Sequence, residues 1–216
     1  MSGKEMGKIA EDALGRTGFG GAPPEAARQL TLYLQEVGFW NGKMHLVGKG
    51  RLGSTLELLV FDSLALLNAA EASGIAAGRV ADIGSGAGFP GLVWKIVRPR
   101  LDLTLFDRRL KPQLFLERVV AQLGLKGITV IGEDAANCKE AGTFELVVSK
   151  AAGRLASILP LADRLLAPGG AYLTVKGRSW EGEMPRNVQS SLRLESVVEL
   201  PEERGSAVVF RKGQRA

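Results

Sequence analysis

The 216-residue chain has one cysteine, Cys138, and one histidine, His45. A lone thiol cannot close an intramolecular disulfide, and one thiol with one imidazole cannot build a zinc site of Cys and His ligands, so disulfide scaffolds and zinc modules are excluded and no metal is expected. No apolar run reaches the roughly 18 residues of a membrane span, and the start of the chain, rich in Gly, Lys and Glu, lacks an apolar h-region. The expectation is a cytoplasmic protein with no membrane partner. Nothing repeats at the period of roughly 20 to 50 residues that marks solenoids. What is present is ample core material, with 45% hydrophobic and 24% charged residues, at a length that suits one domain carrying an extension. Lys and Arg number 28 against 23 Asp and Glu, a formal charge of +5 that favours polyanionic partners.

The chain divides by texture. Residues 1–22, ending in the Gly20-Gly21-Ala22 patch, read as a flexible N-terminal arm. From Pro24 onward Ala27, Leu30, Leu34 and Val37 recur at helical spacing, and a second helix is expected from Ser54, which has the capping-box spacing to Glu57 and precedes Leu56, Leu59, Val60, Leu64 and Leu67. Residues 23–73 are therefore read as a helical extension and 74–216 as a separate domain. There, β-branched runs (Arg79–Ile83, Leu101–Phe106, Ile128–Ile131, Phe144–Ser149, Ala171–Lys176) alternate with helical windows (92–97, 111–123, 155–167), which predicts a parallel sheet with crossover helices. Two further runs, 192–200 and 207–211, read as an antiparallel pair at one edge.

The segment Asp82-Ile83-Gly84-Ser85-Gly86-Ala87-Gly88-Phe89-Pro90-Gly91 takes a strand into three alternating glycines and then into a helix start. Glycine allows positive φ and lets a ligand lie against the main chain, while the helix offers unpaired amides. Asp107, 25 residues after Asp82, ends the second strand, where a doubly wound sheet places an acid that accepts hydrogen bonds from both ribose hydroxyls. A dinucleotide fingerprint wants its third glycine at the sixth position, which here is Phe89, so NAD is the weaker reading. Asp82 before the loop suits an ammonium better than a pyrophosphate, which points to S-adenosylmethionine.

These residues resemble the bacterial 16S ribosomal RNA guanine-N7 methyltransferases, the glucose-inhibited division protein B family. The resemblance rests on the loop with its Pro90-Gly91, on Phe39-Trp40-Asn41, Asp62-Ser63, Ile96-Val97-Arg98-Pro99, Lys111 and Phe115-Leu116, and on Ser149-Lys150-Ala151, Pro168-Gly169-Gly170 and Lys176-Gly177. It runs from about residue 30 to the end. It implies an α/β class I methyltransferase fold, a Rossmann-like, mostly parallel seven-stranded sheet behind an N-terminal helical extension, with S-adenosylmethionine as cofactor and 16S RNA of the 30S subunit as partner. By the same resemblance Gly84 and Phe89 contact the cofactor, Ala135 and Ala136 flank its adenine, and Lys150 stands where the family has a binding-site arginine. The sequence departs from the family at Leu58 and Leu59, in place of Arg-His, and at His45-Leu46-Val47, in place of Asn-Leu-Thr.

Methylation of guanine N7 uses a lone pair already present, so positioning and electrostatics suffice without a general base. The cofactor set read from the sequence is Asp82, Gly84, Ser85, Gly86, Gly88, Phe89, Asp107, Ala135, Ala136 and Lys150; Arg108, Arg109, Lys111 and Lys150 are candidate substrate contacts. Arg98, Arg100 and Arg118 add to the basic middle of the chain, as phosphate contacts or as a solvated face. Cys138 and His45 read as structural; Tyr33, Phe39 and Trp40 read as packing between extension and sheet; Trp180 and Met184 are candidates for the acceptor side. Two alternatives stay open: the same cofactor with another RNA or a small-molecule acceptor, and a nucleotide- or RNA-binding module without catalysis, or an NAD enzyme.

Overall fold

β-branched runs joined largely through helical windows favour a parallel sheet, because each crossover returns the next strand to the same starting edge. In the computed structural model of the chain, which describes residues 2–19, 22–48, 50–75, 78–150, 153–177, 179–184, 190–200 and 205–214, they form one. The strands β1 (Arg79–Ile83), β2 (Asp102–Phe106), β3 (Ile128–Ile131), β4 (Phe144–Lys150), β5 (Leu166–Lys176), β6 (Leu192–Glu199) and β7 (Ser206–Lys212) form one sheet in the order β3-β2-β1-β4-β5-β7-β6. Strands β1 to β5 are mutually parallel. β7 runs antiparallel between β5 and β6, so the last two strands form the antiparallel edge pair. The segment joining them, 201–204, lies outside the described residues.

Register aligns the strand ends. Ile131, Phe106, Ile83 and Ser149 form one row across β3, β2, β1 and β4. Gly84, Asp107 and Lys150 therefore emerge side by side at the carboxyl edge. Strand order reverses between β1 and β4, which is where open α/β sheets leave a crevice for ligands.

The two sheet faces bury alternate residues of each strand. Val80, Leu103, Leu105 and Val148 share one core with α1 (Gly3–Arg16), α2 (Ala26–Met44), α3 (Leu52–Ala72), α4 (Gly91–Val97) and α5 (Leu110–Leu123), α1 packing on α2 and α3. Ala81, Ile83, Phe106 and Val147 face α6 (Leu155–Leu165). Five helices cover one face and one covers part of the other, so open space remains beside α6.

Helix α1 corrects the expectation of a flexible arm. Ser2 and Glu5 form a capping box, Ser2 Oγ accepting from the Glu5 amide at 3.3 Å and the Ser2 amide donating to Glu5 Oε2 at 2.7 Å. Met6, Ala10, Ala13 and Leu14 are buried on one face. Polar composition concealed a narrow apolar stripe. Helix α3 starts at Leu52 after extended Arg51, leaving Ser54 inside it, and no side chain caps its start. Its length and hydropathy would suffice to cross a membrane, yet Leu56, Val60, Leu64 and Leu67 are buried here and its Ser63 carbonyl accepts from Trp94 Nε1 at 2.6 Å.

Candidate active site

The loop after β1 is shaped first by its backbone. Gly84, Gly86 and Gly88 have φ of 71°, 56° and 98°, and the Gly84 and Ser85 amides both donate to the Phe106 carbonyl, at 2.8 and 3.0 Å. A Cβ on Gly88 would lie 2.6 Å from Leu92 and one on Gly91 2.7 Å from Asp82 Oδ2, so both glycines are required by close packing. Ser85 is buried and donates from Oγ to the Asp82 carbonyl at 2.9 Å. The helical extension braces the loop from outside. Tyr33 on α2 is fully buried, donates to the Ala87 carbonyl at 2.7 Å, and packs on Phe89 with ring centroids 5.2 Å apart. Burial first, and then the nearby Asp82 charge, hold the Tyr33 hydroxyl well above the usual range, so it stays a donor.

Asp82 is not presented to a ligand. Two-residue alternation puts its side chain with Val80 on the α4 side of the sheet, where Oδ2 accepts from the Gly91 amide at 3.0 Å. Its Oδ1 has no hydrogen-bond partner among the described residues. Burial raises its pKa to about 7 against the lowering effect of the Gly91 and Ser85 hydrogen bonds. The carboxyl is a fixture beneath the loop, which corrects its reading as an ammonium contact.

Asp107 stands at the edge, buried but beside open space. Its Oδ2 accepts from the Gly86 amide at 2.9 Å and from Arg109 Nη2 at 2.8 Å, and its Oδ1 accepts from Arg109 N and Nε, both at 3.0 Å. Burial pushes its pKa up, but the Arg109 and Gly86 hydrogen bonds and the Arg109 charge outweigh that and hold it below the usual range.

Two cavities meet at this point. One, of about 920 Å³, lies on the α6 side and is lined by Gly84, Asp107, Arg109, Ala135, Ala136 and Ile158. Ala135 opens a short 3-10 turn whose start is capped by Asp134, with Oδ1 accepting from the Ala136 amide at 3.0 Å. The second, of about 260 Å³, lies between the loop and the helical extension, lined by Leu46, Leu59, Gly86, Phe89, Arg109 and Lys150. Lys150 pairs there with Asp62 on α3 at 2.8 Å. Gly84 and Arg109 line both cavities and so form the seam between them, with Gly86 on the side of the smaller one.

Of the remaining candidates, Arg108 and Lys111 are exposed at the same edge, Arg108 only 4.0 Å from Asp134. Arg98 is held bidentately by Glu71, and Arg118 meets Glu36 through a single contact at 3.4 Å; neither lines either of these two cavities. Trp180 is buried in the α6-side core and lines neither cavity, which corrects its assignment to the acceptor side. Met184 lines neither cavity. Phe39 is 59% exposed, so of the three aromatics expected to pack, only Tyr33 is fully buried. Cys138 is buried, and exposed His45 ends α2 in the left-handed region. Sequence reasoning missed Arg164, whose Nη2 donates to the Cys138 carbonyl at 2.9 Å and so secures the turn carrying Ala135. It also missed the Asp62 to Lys150 pair, although both residues had been noted in separate motifs.

A glycine loop braced at the switch point, an acid at the next strand end and a large cavity beyond define an S-adenosylmethionine-dependent methyltransferase. The family model described as GidB, rRNA small subunit methyltransferase G, matches residues 26–204. A ribosomal RNA small subunit methyltransferase G from Alkalilimnicola ehrlichii is 34% identical over 170 residues, 77% of this chain and 75% of that protein. Among solved structures, the N-methyltransferase NodS from Bradyrhizobium japonicum aligns with a TM-score of 0.53 at 17% identity, covering 71% of this chain and 95% of that one. A SAM-dependent methyltransferase from Aquifex aeolicus aligns with a TM-score of 0.50 at 18% identity, covering 68% and 87%. The two structures speak for the fold, and the family match goes further: the chain belongs to the GidB family.

The residues present fit S-adenosylmethionine. The larger cavity has room for a nucleoside, Gly84 lines it without a Cβ, and Asp107 is the acceptor a ribose diol needs. Among the described residues no group of three or more His, Cys, Asp or Glu side chains is arranged to hold a metal.

Proposed function

We propose that this protein transfers a methyl group from S-adenosylmethionine to N7 of a guanine in 16S RNA of the small ribosomal subunit, in the cytoplasm. The observation that carries this is the glycine loop with a nucleoside-sized cavity on one side and a smaller cavity on the other. Family membership supports the ribosomal substrate. In this reading Gly84, Ser85, Gly86, Gly88 and Phe89 form the cradle, Asp107 takes the ribose, and Ala135 and Ala136 flank the adenine. Lys150, Arg108, Arg109 and Lys111 face the RNA, and the helices before residue 74 supply the acceptor wall of the domain that follows.

Bound S-adenosylmethionine supplies an electrophilic methyl on a sulfonium. Guanine N7 would offer it a lone pair already present on the neutral base, so the chain need supply no group to remove a proton. The chain's task is to align the two substrates across Gly84 and to exclude water, to which Tyr33 and Phe89 contribute by closing the loop from outside. A different acceptor is the second reading, favoured by apolar Leu59 in the smaller cavity and exposed Leu58 beside it in sequence.

The test is transfer of labelled methyl to 30S subunits from a strain lacking this gene, with wild-type subunits and Asp107→Ala as controls. Label in the deficient 16S RNA alone, lost with the variant, supports the assignment. No label in the presence of demonstrated cofactor binding selects the second reading.

A further inference from the structure

Asp107 has no acceptor capacity left. An ionised carboxylate offers about four lone-pair directions, and here the Gly86 amide, the Arg109 amide and two Arg109 side-chain nitrogens take them all. The two backbone donors are fixed by the loop and by the start of α5. The two side-chain donors are not: the Arg109 side chain is 64% exposed, and Asp107 is its one ion-pair partner among the described residues. A ribose diol that takes Asp107 must therefore displace the Arg109 guanidinium and leave the backbone bonds in place. The displaced cation is already at the seam, because Arg109 lines both cavities. Freed there, it needs a new anion, and an RNA strand entering the smaller cavity brings one in its phosphodiester.

We propose that Arg109 is shared between the two substrates: it guards Asp107 until the cofactor's ribose displaces it, and then holds a phosphate of the RNA, so that each substrate raises the affinity for the other. This rests on the reading of Asp107 as the ribose acceptor and of RNA as the methyl acceptor. Arg109 is a binding and positioning residue, touching no reacting atom. Because binding free energies are linked, cofactor and RNA must strengthen each other by the same factor. Arginine suits the exchange, since its planar fork matches a carboxylate and a phosphate equally well.

The experiment uses the full-length protein and S-adenosylhomocysteine, the unreactive product, titrated calorimetrically into wild type, Arg109→Ala and Arg109→Lys, followed by 30S binding with and without it. The expected result is that Arg109→Ala binds S-adenosylhomocysteine about 10-fold more tightly than wild type, because no chelate has to be broken, with Arg109→Lys between them. Wild type gains a similar factor in 30S affinity when S-adenosylhomocysteine is present, and Arg109→Ala gains less than about 2-fold. Weaker S-adenosylhomocysteine binding by Arg109→Ala would overturn the proposal, since it would mean that the guanidinium moves to the cofactor's own carboxylate. Unchanged binding, or a gain in 30S affinity that survives the substitution, would overturn it as well. Failure of wild type to bind S-adenosylhomocysteine at all would overturn the methyltransferase reading along with it, which separates the two failures.

Discussion

Asp82 and Asp107 carry the same side chain at the ends of adjacent strands, and their surroundings drive them in opposite directions. Burial raises Asp82 to about 7, so its folded form holds a proton that the unfolded chain, near 4, has released. Its contribution to stability is complete below about pH 4, declines as pH rises, and is lost above 7, a swing of at most about 4 kcal/mol. Asp82→Asn keeps an acceptor for the Gly91 amide and removes the buried charge. The variant should melt above wild type at pH 8 and lose the advantage towards pH 5, whereas parallel melting curves would show that Asp82 is already neutral or well solvated. Asp107 is held low, so its stabilisation is present above the unfolded value and lost as pH falls through the folded one. Asp107→Ala should cost about 10-fold or more in S-adenosylhomocysteine affinity, since each hydrogen bond to a charged acceptor is worth about 1.5 to 3 kcal/mol and about 10-fold is recovered where no Arg109 chelate has to be broken. Calorimetry measures this directly.

The glycine loop and helix α1 divide the elements by what local sequence can disclose. Strands β1 and β3 have the predicted bounds, because short β-branched runs between polar breaks leave little choice of ends. The loop was legible for the same reason: alternating glycines after a strand have few structural uses. Helix α1 was hidden because Gly, Lys and Glu dominate its composition, while the stripe that holds it is four residues wide and includes two alanines. The direction of Asp82 was missed because strand parity decides it, and parity is set by which neighbour faces which helix layer. Phe39 follows Val37 by two residues, about 200° round the helix from a buried position, and so had to point outward. Two substitutions in the loop separate packing from binding. Gly88→Ala meets Leu92 at 2.6 Å at a φ of 98°, and should lower both stability and cofactor affinity. Gly86→Ala has no contact nearer than 3.7 Å, so it should cost about 1 to 2 kcal/mol of stability for its left-handed backbone and take up space in the smaller cavity beside Arg109. Its loss should therefore fall mainly on binding. For α1, Met6→Ala should cost about 2 to 5 kcal/mol by urea unfolding if the helix is part of the core, and near nothing if it is an arm.

At the scale of the whole molecule, net charge is a poor guide to how RNA is held, because cations in the basic middle of the chain, Arg98, Arg109 and Arg118 among them, are already engaged by carboxylates. Arg98 is spent on Glu71 and Arg118 on Glu36, and neither lines the two cavities at the carboxyl edge. Arg108 and Lys111 are exposed at the carboxyl edge, and Arg109 joins them only when Asp107 is given to another ligand. Each neutralised phosphate contributes about 0.7 to 0.9 to the slope of log affinity against log salt. Three such cations give a slope between about −2 and −3 with S-adenosylhomocysteine present, and shallower by about one unit without it. Titrating 30S binding from low to physiological salt in both states measures this. A slope steeper than about −5 would move the RNA onto cations outside this edge, while an equal slope in both states would keep the edge and remove Arg109 from it.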